Sequence, residues 1–312
     1  MEFKKIALEN LEEMRYYLNK SGNRGCNYSV GNILIWGQDL PLTYTIIEDV
    51  IVFRTITDKE AIYHIAQYSE RFPEMIQKLS EDARSLDKEM LFADLNQEMK
   101  DTLDENYPGM FELEYDRDGS DYVYETEALA TLSGKRYHKK KNHVNRFKKN
   151  VAFTYEEITP ENIEECAQMA ALWREGREMT PSLEAETKAL SLALRHYEAL
   201  GFEGGLIRVD GRVMAFTLGE QVTEDTFVTH FEKALDTIPE LYAVINQQFA
   251  EHQLKAYRYV NREEDLGLEG LRKAKTSYHP AFMVDKYKAR LKACYRRNTV
   301  CLWYCRDFCR TA

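Results

Sequence analysis

A chain of 312 residues with 44% hydrophobic and 30% charged side chains has the balance of a soluble globular protein, and its length allows two domains. Only 7 Pro and 15 Gly exclude a collagen-like or broadly disordered chain, and no apolar run approaches the roughly 18 residues that span a bilayer. The formal charge of -10 argues against a generic nucleic-acid-coating protein, and the acidic amphipathic start, in place of an apolar leader, points to the cytoplasm.

In chain order, Phe3 to Ile6 is a β-prone run leading into an amphipathic helix. Thr43–Ile47 and Val50–Thr55 suit a hairpin turning at Glu48-Asp49. Asp58 to Arg71 reads as a capped helix, and Pro73 opens another helical segment. Leu91–Ala93, Phe111–Tyr115 and Tyr122–Thr126 are expected strands, with a helix from Asn96 to Glu105 between the first two.

In the second half a β-prone run, Val151 to Ile158, precedes Thr159-Pro160, which supplies a cap and a first-turn proline for a helix running to about Gly176. A second helix spans about Ser182 to Leu200 and is stopped by Gly201. Strands at Gly205–Val209 and Arg212–Leu218 are joined by Asp210-Gly211, a strong two-residue hairpin signal, and Thr226–Glu232 follows as a third. Then come a helix at about Pro239–His252, a strand at Ala256–Val260, a helix at about Leu266–Ser277 and a strand near Ala281–Lys286.

The chain also echoes itself. Ile-Ala-Leu-Glu-Asn-Leu-Glu-Glu at 6–13 returns as Ile-Thr-Pro-Glu-Asn-Ile-Glu-Glu at 158–165, and each copy follows a short strand and opens a helix. The element order is that of GCN5-related N-acyltransferase folds. The expected architecture is therefore α/β (α+β): a tandem duplication of that fold, with mixed central sheets flanked by helices. The expected cuts are residues 1–150, ending in a basic helix at about 135–149, residues 151–290, and a Cys/Arg-rich tail at 291–312.

The basic helix carries most of the functional signal. Eight of fifteen residues from Lys135 to Lys149 are Lys or Arg and none is acidic; without those eight charges the other 297 residues stand at -18. Tyr137, Val144 and Phe147 share a narrow apolar face. Arg136, Lys139, His143 and Arg146 line a neighbouring face at spacings of three and four, with Lys140 beside them, a geometry that suits a row of phosphates. The structural alternative is a solvated helix that balances acidic neighbours.

A second candidate is Tyr259-Val-Asn-Arg-Glu-Glu-Asp265, which runs from a strand's C-terminal end, where ligands gather in open α/β sheets, into the next helix. Asp265 can cap that helix; Asn261, Arg262 and Glu263 are harder to assign to stability alone. Lys275 projects into the middle of a face shared by Leu268, Leu271 and Tyr278, so it must snorkel, pair with Glu263 or Glu232, or have a lowered pKa. His230 and Glu232, alternating along one strand, share a face and can form an acid/base pair; a satisfied buried histidine is the commoner alternative.

There is no Gly-rich dinucleotide fingerprint, P-loop, G-x-S-x-G elbow or H-E-x-x-H motif. The six cysteines read as free thiols; Cys301, Cys305 and Cys309, with Cys294, do not match common zinc spacings, and no metal is expected.

Residues 133–147 and 259–280 together resemble a bacterial family related to the C-terminal synthase domain of phosphatidylglycerol lysyltransferases, whose members, like the Fem-type aminoacyltransferases, have two GCN5-type domains in tandem. The resemblance covers roughly residues 1–290. It implies acyl transfer, with aminoacyl-tRNA as donor in the lysyltransferase branch and a small-molecule or lipid acceptor. The branch's Asp-Leu-Gly…Gly-Leu…Lys…Pro pattern falls on Asp265, Gly267, Gly270, Leu271, Lys275 and Pro280, with Arg272 inside it. Two departures stand out: the membrane-spanning part is missing, and Pro239–Asn246 replaces the Gly-rich loop that cradles coenzyme A pyrophosphate. The expected reaction is aminoacyl transfer to an amine or hydroxyl. In it Arg136, Lys139, Lys140, His143 and Arg146 hold donor phosphates. Asn261, Arg262, Glu263 and Lys275 orient the acyl group, Asp265 and Arg272 support binding, and Glu232 or His230 acts as base. The alternatives are an acyl-CoA-dependent N-acyltransferase of a small amine and a non-catalytic module that binds RNA or anionic lipid.

Overall fold

The computed structural model describes residues 1–37 and 41–295. In chain order the elements are β1 (Lys4–Lys5), α1 (Leu11–Ser21), α2 (Val30–Gly37), β2 (Leu42–Ile47), β3 (Val50–Ile56), β4 (Glu60–Ile65), α3 (Phe72–Ser85), β5 (Glu89–Leu95), α4 (Gln97–Asn106) and β6 (Phe111–Tyr115). They continue with β7 (Asp121–Glu125), α5 (Thr126–Thr131), α6 (His138–Asn150), β8 (Phe153–Glu157), α7 (Ile163–Arg174), α8 (Pro181–Arg195), α9 (Tyr197–Leu200), β9 (Glu203–Val209) and β10 (Arg212–Thr223). The remainder are β11 (Thr226–Ala234), α10 (Leu241–His252), β12 (Tyr259–Asn261), α11 (Glu269–Thr276), β13 (Phe282–Val284) and β14 (Tyr287–Leu291).

These elements form two compact units. The first holds Met1–Asn23, Gly37–Ser120 and the described residues from Val284 on; the second holds Arg24–Trp36 and Asp121–Met283. The first unit's sheet has the order β1-β2-β3-β4-β5-β14-β6, and the second's, read from the opposite edge, β8-β9-β10-β11-β12-β7-β13. The two orders match position by position. Each starts on a short edge strand followed by a helix, has three antiparallel pairings and then one parallel pairing, β4 with β5 and β11 with β12. This repeated mixed sheet flanked by helices is the duplication announced by the echo at 6–13 and 158–165.

The sixth place in each sheet differs from the expected cut at residue 150. β14, from the end of the described chain, fills it in the first unit, and β7 fills it in the second. The basic helix α6 also lies in the second unit, where Tyr137, Val144 and Phe147 are buried in a core with Tyr122, Phe227, Val244 and Phe249. An apolar pattern tells a strand that it will be buried, not which sheet will bury it. Of the 291–312 tail, Leu291 closes β14 and Ala293–Tyr295 make a single 3-10 turn; Cys301, Cys305 and Cys309 lie outside the described residues, as does the side chain of Cys294.

Local signals placed most elements. Glu48-Asp49 and Asp210-Gly211 both take positive φ at the two central positions, the hairpin geometry whose twist matches the flanking strands. Pro sits in the first turn of α3, and Gly201 ends α9 in the left-handed conformation. The helix expected at Asp58–Arg71 is instead β4: Ala61, Tyr63 and Ile65 are buried and alternate with Glu60, Ile62 and His64, so period two prevails over the capping signal. The helix after Thr159-Pro160 begins only at Ile163, and Asn162 uses its side chain to hold the Thr159 N–H (2.8 Å). The helix expected from Leu266 begins at Glu269, because Leu266 and Gly267 are both left-handed, at φ 53° and 73°.

Candidate functional site

The site grows out of how β11 leaves β12. The strands pair in parallel only from Thr226 opposite Tyr259 to Val228 opposite Asn261; β12 ends there while β11 continues to Ala234. Beyond Asn261 the space between them is crossed by side chains. The C-terminal ends of parallel strands are where such sheets collect ligands, because no backbone pairing fills the gap.

Two ion pairs bridge it. The first centres on His230. Its Nδ1 meets Glu263 Oε1 and its Nε2 meets Glu220 Oε1, both at 2.9 Å, with the imidazole almost wholly buried. Burial works against the charged ring, but the hydrogen bonds and charges of Glu220 and Glu263 outweigh it and raise the pKa to about 9. Both ring nitrogens are therefore occupied and the ring is an imidazolium at neutral pH. Glu220 also accepts the Gly31 N–H at 2.7 Å, and Glu263 is held left-handed, at φ 60°, with its N–H on Asn261 Oδ1 at 2.7 Å.

The second pair is Arg262 with Glu232, Nη2 standing 3.0 and 3.2 Å from the two carboxylate oxygens. Burial opposes the guanidinium's charge, Glu232 more than offsets it, and the pKa is raised. Glu232 also accepts from Asn246 Nδ2 of α10 at 3.2 Å. Arg262 lies 5.0 Å from the Tyr278 ring centroid and 5.8 Å from that of Tyr124. Its guanidinium lies close to the Tyr278 hydroxyl, and the Asn246 Oδ1 is buried without a hydrogen-bond partner. Lys140 of α6 completes this cluster, its Nζ 4.1 Å from the Tyr278 ring centroid; burial lowers its pKa, Arg262 adds to the effect and Glu232 opposes it.

The expected His230–Glu232 pair does not form. Between Leu218 opposite Phe231 and Gly219 opposite Thr229 the register shifts, leaving His230 as the extra residue of a β-bulge. The bulge sets His230 beside Phe202, while Glu232 reaches Asn246 on α10. A period-two reading cannot anticipate an inserted residue.

Lys275 is not paired with a carboxylate. Its Nζ donates to the main-chain carbonyls of Arg262 (2.7 Å) and Glu264, clamping the loop after β12. Burial lowers its pKa, Glu263 opposes the shift and Arg262 reinforces it. The leucines expected around it are not a buried face: Leu268 and Leu271 are exposed, and only Tyr278 is buried. Asp265 is no helix cap. Fully buried, it accepts from Tyr122 Oη (2.5 Å), Gly267 N (2.9 Å) and two nitrogens of Arg272 (2.8 Å each), and these hold its pKa far below the usual carboxylate range. Asn261 is equally occupied, donating to Arg24 O (2.7 Å) and Asp121 Oδ2 (2.9 Å).

Along α6 the cations divide. Arg146 pairs with Glu240 and sits 3.4 Å from His143 Nδ1, Arg136 lies over the Tyr137 ring, and Arg136 and Lys139 are exposed. Of the five, only Lys140 reaches the Arg262–Glu232 pair. Glu220, Asn246 and Cys26 were not singled out from sequence. A carboxylate inside the apolar strand β10 was the available signal for Glu220; nothing local marks Asn246. Cys26, Asp121 and Glu264 bring donor atoms within 4.8 Å of one another, the spacing of a metal trio among the described residues. Asp121 already accepts from the Cys26 and Asn261 N–H groups, and all three residues have further partners.

The family model described as phosphatidylglycerol lysyltransferase, C-terminal, matches residues 19–290. A conserved protein of unknown function from Bacteroides thetaiotaomicron VPI-5482 is 36% identical, with a TM-score of 0.86 over 93% of this chain and 99% of that one. L-PGS from Bacillus licheniformis aligns at 14% identity with a TM-score of 0.67, covering 97% and 96% of the two chains. FemX aligns at 9% identity with a TM-score of 0.63, covering 95% and 99%. The last two speak to the fold alone. No curated protein matches the chain. No helix among the described residues is long and apolar enough to cross a membrane.

Proposed function

The chain belongs to the phosphatidylglycerol lysyltransferase C-terminal family, and on that premise we propose that it is an acyltransferase that moves an aminoacyl group from aminoacyl-tRNA to an amine or hydroxyl acceptor. The observation that carries this reading is the gap beyond β12, bridged by Arg262 and Glu232 and met by Lys140 of the basic helix. It puts a carboxylate, a buried guanidinium and the phosphate-ready helix within one cluster.

In the reaction the acceptor's nitrogen or oxygen attacks the ester carbonyl. The new acyl bond forms as the bond to the terminal ribose oxygen breaks, and the acceptor's proton passes through a base to that leaving oxygen. Arg262, its guanidinium held in place by Glu232, stabilises the oxyanion, a role that needs a fixed donor and no covalent nucleophile. The base is Glu232. His230 cannot be: an imidazolium locked between two carboxylates has no lone pair, so it acts as a charged strut that positions Glu263 and the loop beyond Asn261. Lys275, Asp265 and Asn261 position the same loop. Lys139, Lys140 and Arg136 take the phosphates of the tRNA end.

The start of α10 supports tRNA over coenzyme A as donor. Pro239–Asn246 replaces the Gly-rich loop there, and the N-cap residue Glu240, paired to Arg146, brings a negative charge that disfavours a pyrophosphate beside it.

The test is binding of purified protein to aminoacylated and deacylated bulk tRNA at two salt concentrations, with Lys140→Glu alongside. Tighter binding of the charged form, weakened in Lys140→Glu, is expected. Equal, salt-sensitive binding of both forms would make the protein a phosphate-reading module, and binding of neither would move acyl-CoA donors to the front.

A further inference from the structure

We propose that the groove between α7 and α8 is a binding site for an amphiphile with one aliphatic chain and an anionic head. It lies within the second unit, encloses about 570 Å³, and is a different place from the gap beyond β12. That volume is well inside the range of small-molecule sites, roughly 300–1,000 Å³.

Its walls explain why it stays open. Toward α8, helix α7 presents Ala167, Ala170 and Ala171, and opposite them stand Leu190 and Leu194. Residues three and four apart share one helix face, so the alanines make a continuous shallow strip. Helices normally close such a seam by interdigitating longer side chains. Here these apolar residues line the seam together with the small polar side chains of Thr187 and Ser191 and with Glu164 and Arg195, and its length is set by the 12 residues of α7, about 18 Å at 1.5 Å per residue. An extended hydrocarbon chain matches that shape; a flat aromatic ring system does not.

One end is polar and positively charged. Lys233, 5% exposed, enters from β11 and stands 3.7 Å from the Trp173 ring centroid, with its Nζ 2.6 Å from Glu186 Oε1. Arg177 lies 4.2 Å from the same ring and pairs with Asp236. Arg174, at the end of α7, adds a third cation against these two carboxylates, and it has no ion pair among the described residues. An indole flanked by two cations, with one positive charge left over, recognises a carboxylate or phosphate head and repels an ammonium head. Glu232 and Lys233 are consecutive in β11 but go to opposite sides of the sheet, Glu232 to Asn246 of α10 and Lys233 to Glu186 of α8. Occupancy of the groove therefore does not require the transfer reaction.

Trp173 provides the readout. Its fluorescence, identified by subtraction of a Trp173→Phe variant, is titrated with alkanoates of 8, 10 and 12 carbons and with alkyltrimethylammonium ions of the same lengths, all below micelle formation. The expected Kd falls about fourfold for each added methylene, and the alkanoates bind more tightly than the ammonium series at every length. Ala167→Leu/Ala170→Leu, which fills the strip, abolishes binding; Ser191→Leu fills it from α8 and does the same should the α7 variant fail to fold. A Kd independent of chain length, equal binding of the two series, or undiminished binding by a folded, filled variant would overturn the proposal. Any of these can occur whether or not the protein binds tRNA.

Discussion

The charge on His230 makes the protein's stability fall in alkaline solution by a predictable amount. An ordinary histidine titrates near 6.5, and the Glu220–His230–Glu263 arrangement holds this one at about 9. A group whose pKa is raised on folding stabilises the fold fully below its unfolded pKa and loses that contribution as the pH climbs through the folded one. At 1.36 kcal/mol for each tenfold difference, the rise is worth about 3 kcal/mol, present below pH 6.5 and lost as the pH rises through 9. Urea unfolding followed by tryptophan fluorescence suits the measurement, since Trp36 and Trp173 both lie in the second unit with His230. Wild type is compared with His230→Gln from pH 6 to 10.5. The gap between the two stabilities should shrink by about 3 kcal/mol across that range. A constant gap, or an imidazole resonance titrating near 6.5, would refute the reasoning and restore His230 as a candidate base.

Other changes test the rest of the site. Arg262→Met leaves Glu232 buried with an uncompensated charge and should cost about 3–5 kcal/mol, whereas Arg262→Met with Glu232→Leu should recover most of the loss; a double variant as unstable as the single one would contradict this. Lys275→Met strands the carbonyls of Arg262 and Glu264 and should destabilise by roughly 2–4 kcal/mol, with hydrogen exchange accelerated across residues 262–266. Asp225, held at about 2 by Arg24 and two threonine hydroxyls, contributes stability above pH 3.8 that is lost as the pH falls through 2; Asp225→Asn should flatten that part of an acid titration. Gly219→Ala drives a Cβ into the Val228 carbonyl beside the bulge, so soluble expression should drop sharply, and a normally stable variant would show that the bulge is not fixed there.

The sequence by itself determined the fold class and most of its parts. Two-residue hairpins at Glu48-Asp49 and Asp210-Gly211, the proline opening α3 and the glycine closing α9 are local chemistry, settled within four residues of chain. The apolar face Tyr137, Val144 and Phe147 was equally legible, because helical spacing is a local property, and so was the unusual charge of the segment that carries it. Five residues singled out from sequence, Arg262, Glu232, Glu263, His230 and Lys140, are brought together at the gap beyond β12.

What only the tertiary structure decided is how those residues are paired. A single bulge moved His230 away from Glu232 and between Glu220 and Glu263, turning an apparent base into a buried cation. Lys275 found main-chain carbonyls where a carboxylate was expected, and Asp265 found Arg272 and Tyr122 where a helix end was expected. Asn246 gave no local signal and Glu220 only that of a carboxylate inside an apolar strand, since their pairings depend on how β10, β11 and α10 pack. β7 was legible as a strand, but its sheet was not, and β14 at Tyr287–Leu291 lies beyond the last strand expected, near Ala281–Lys286. Strand character is written in the alternation of neighbours, whereas the choice of partner depends on which buried edge is open once the rest of the chain has packed.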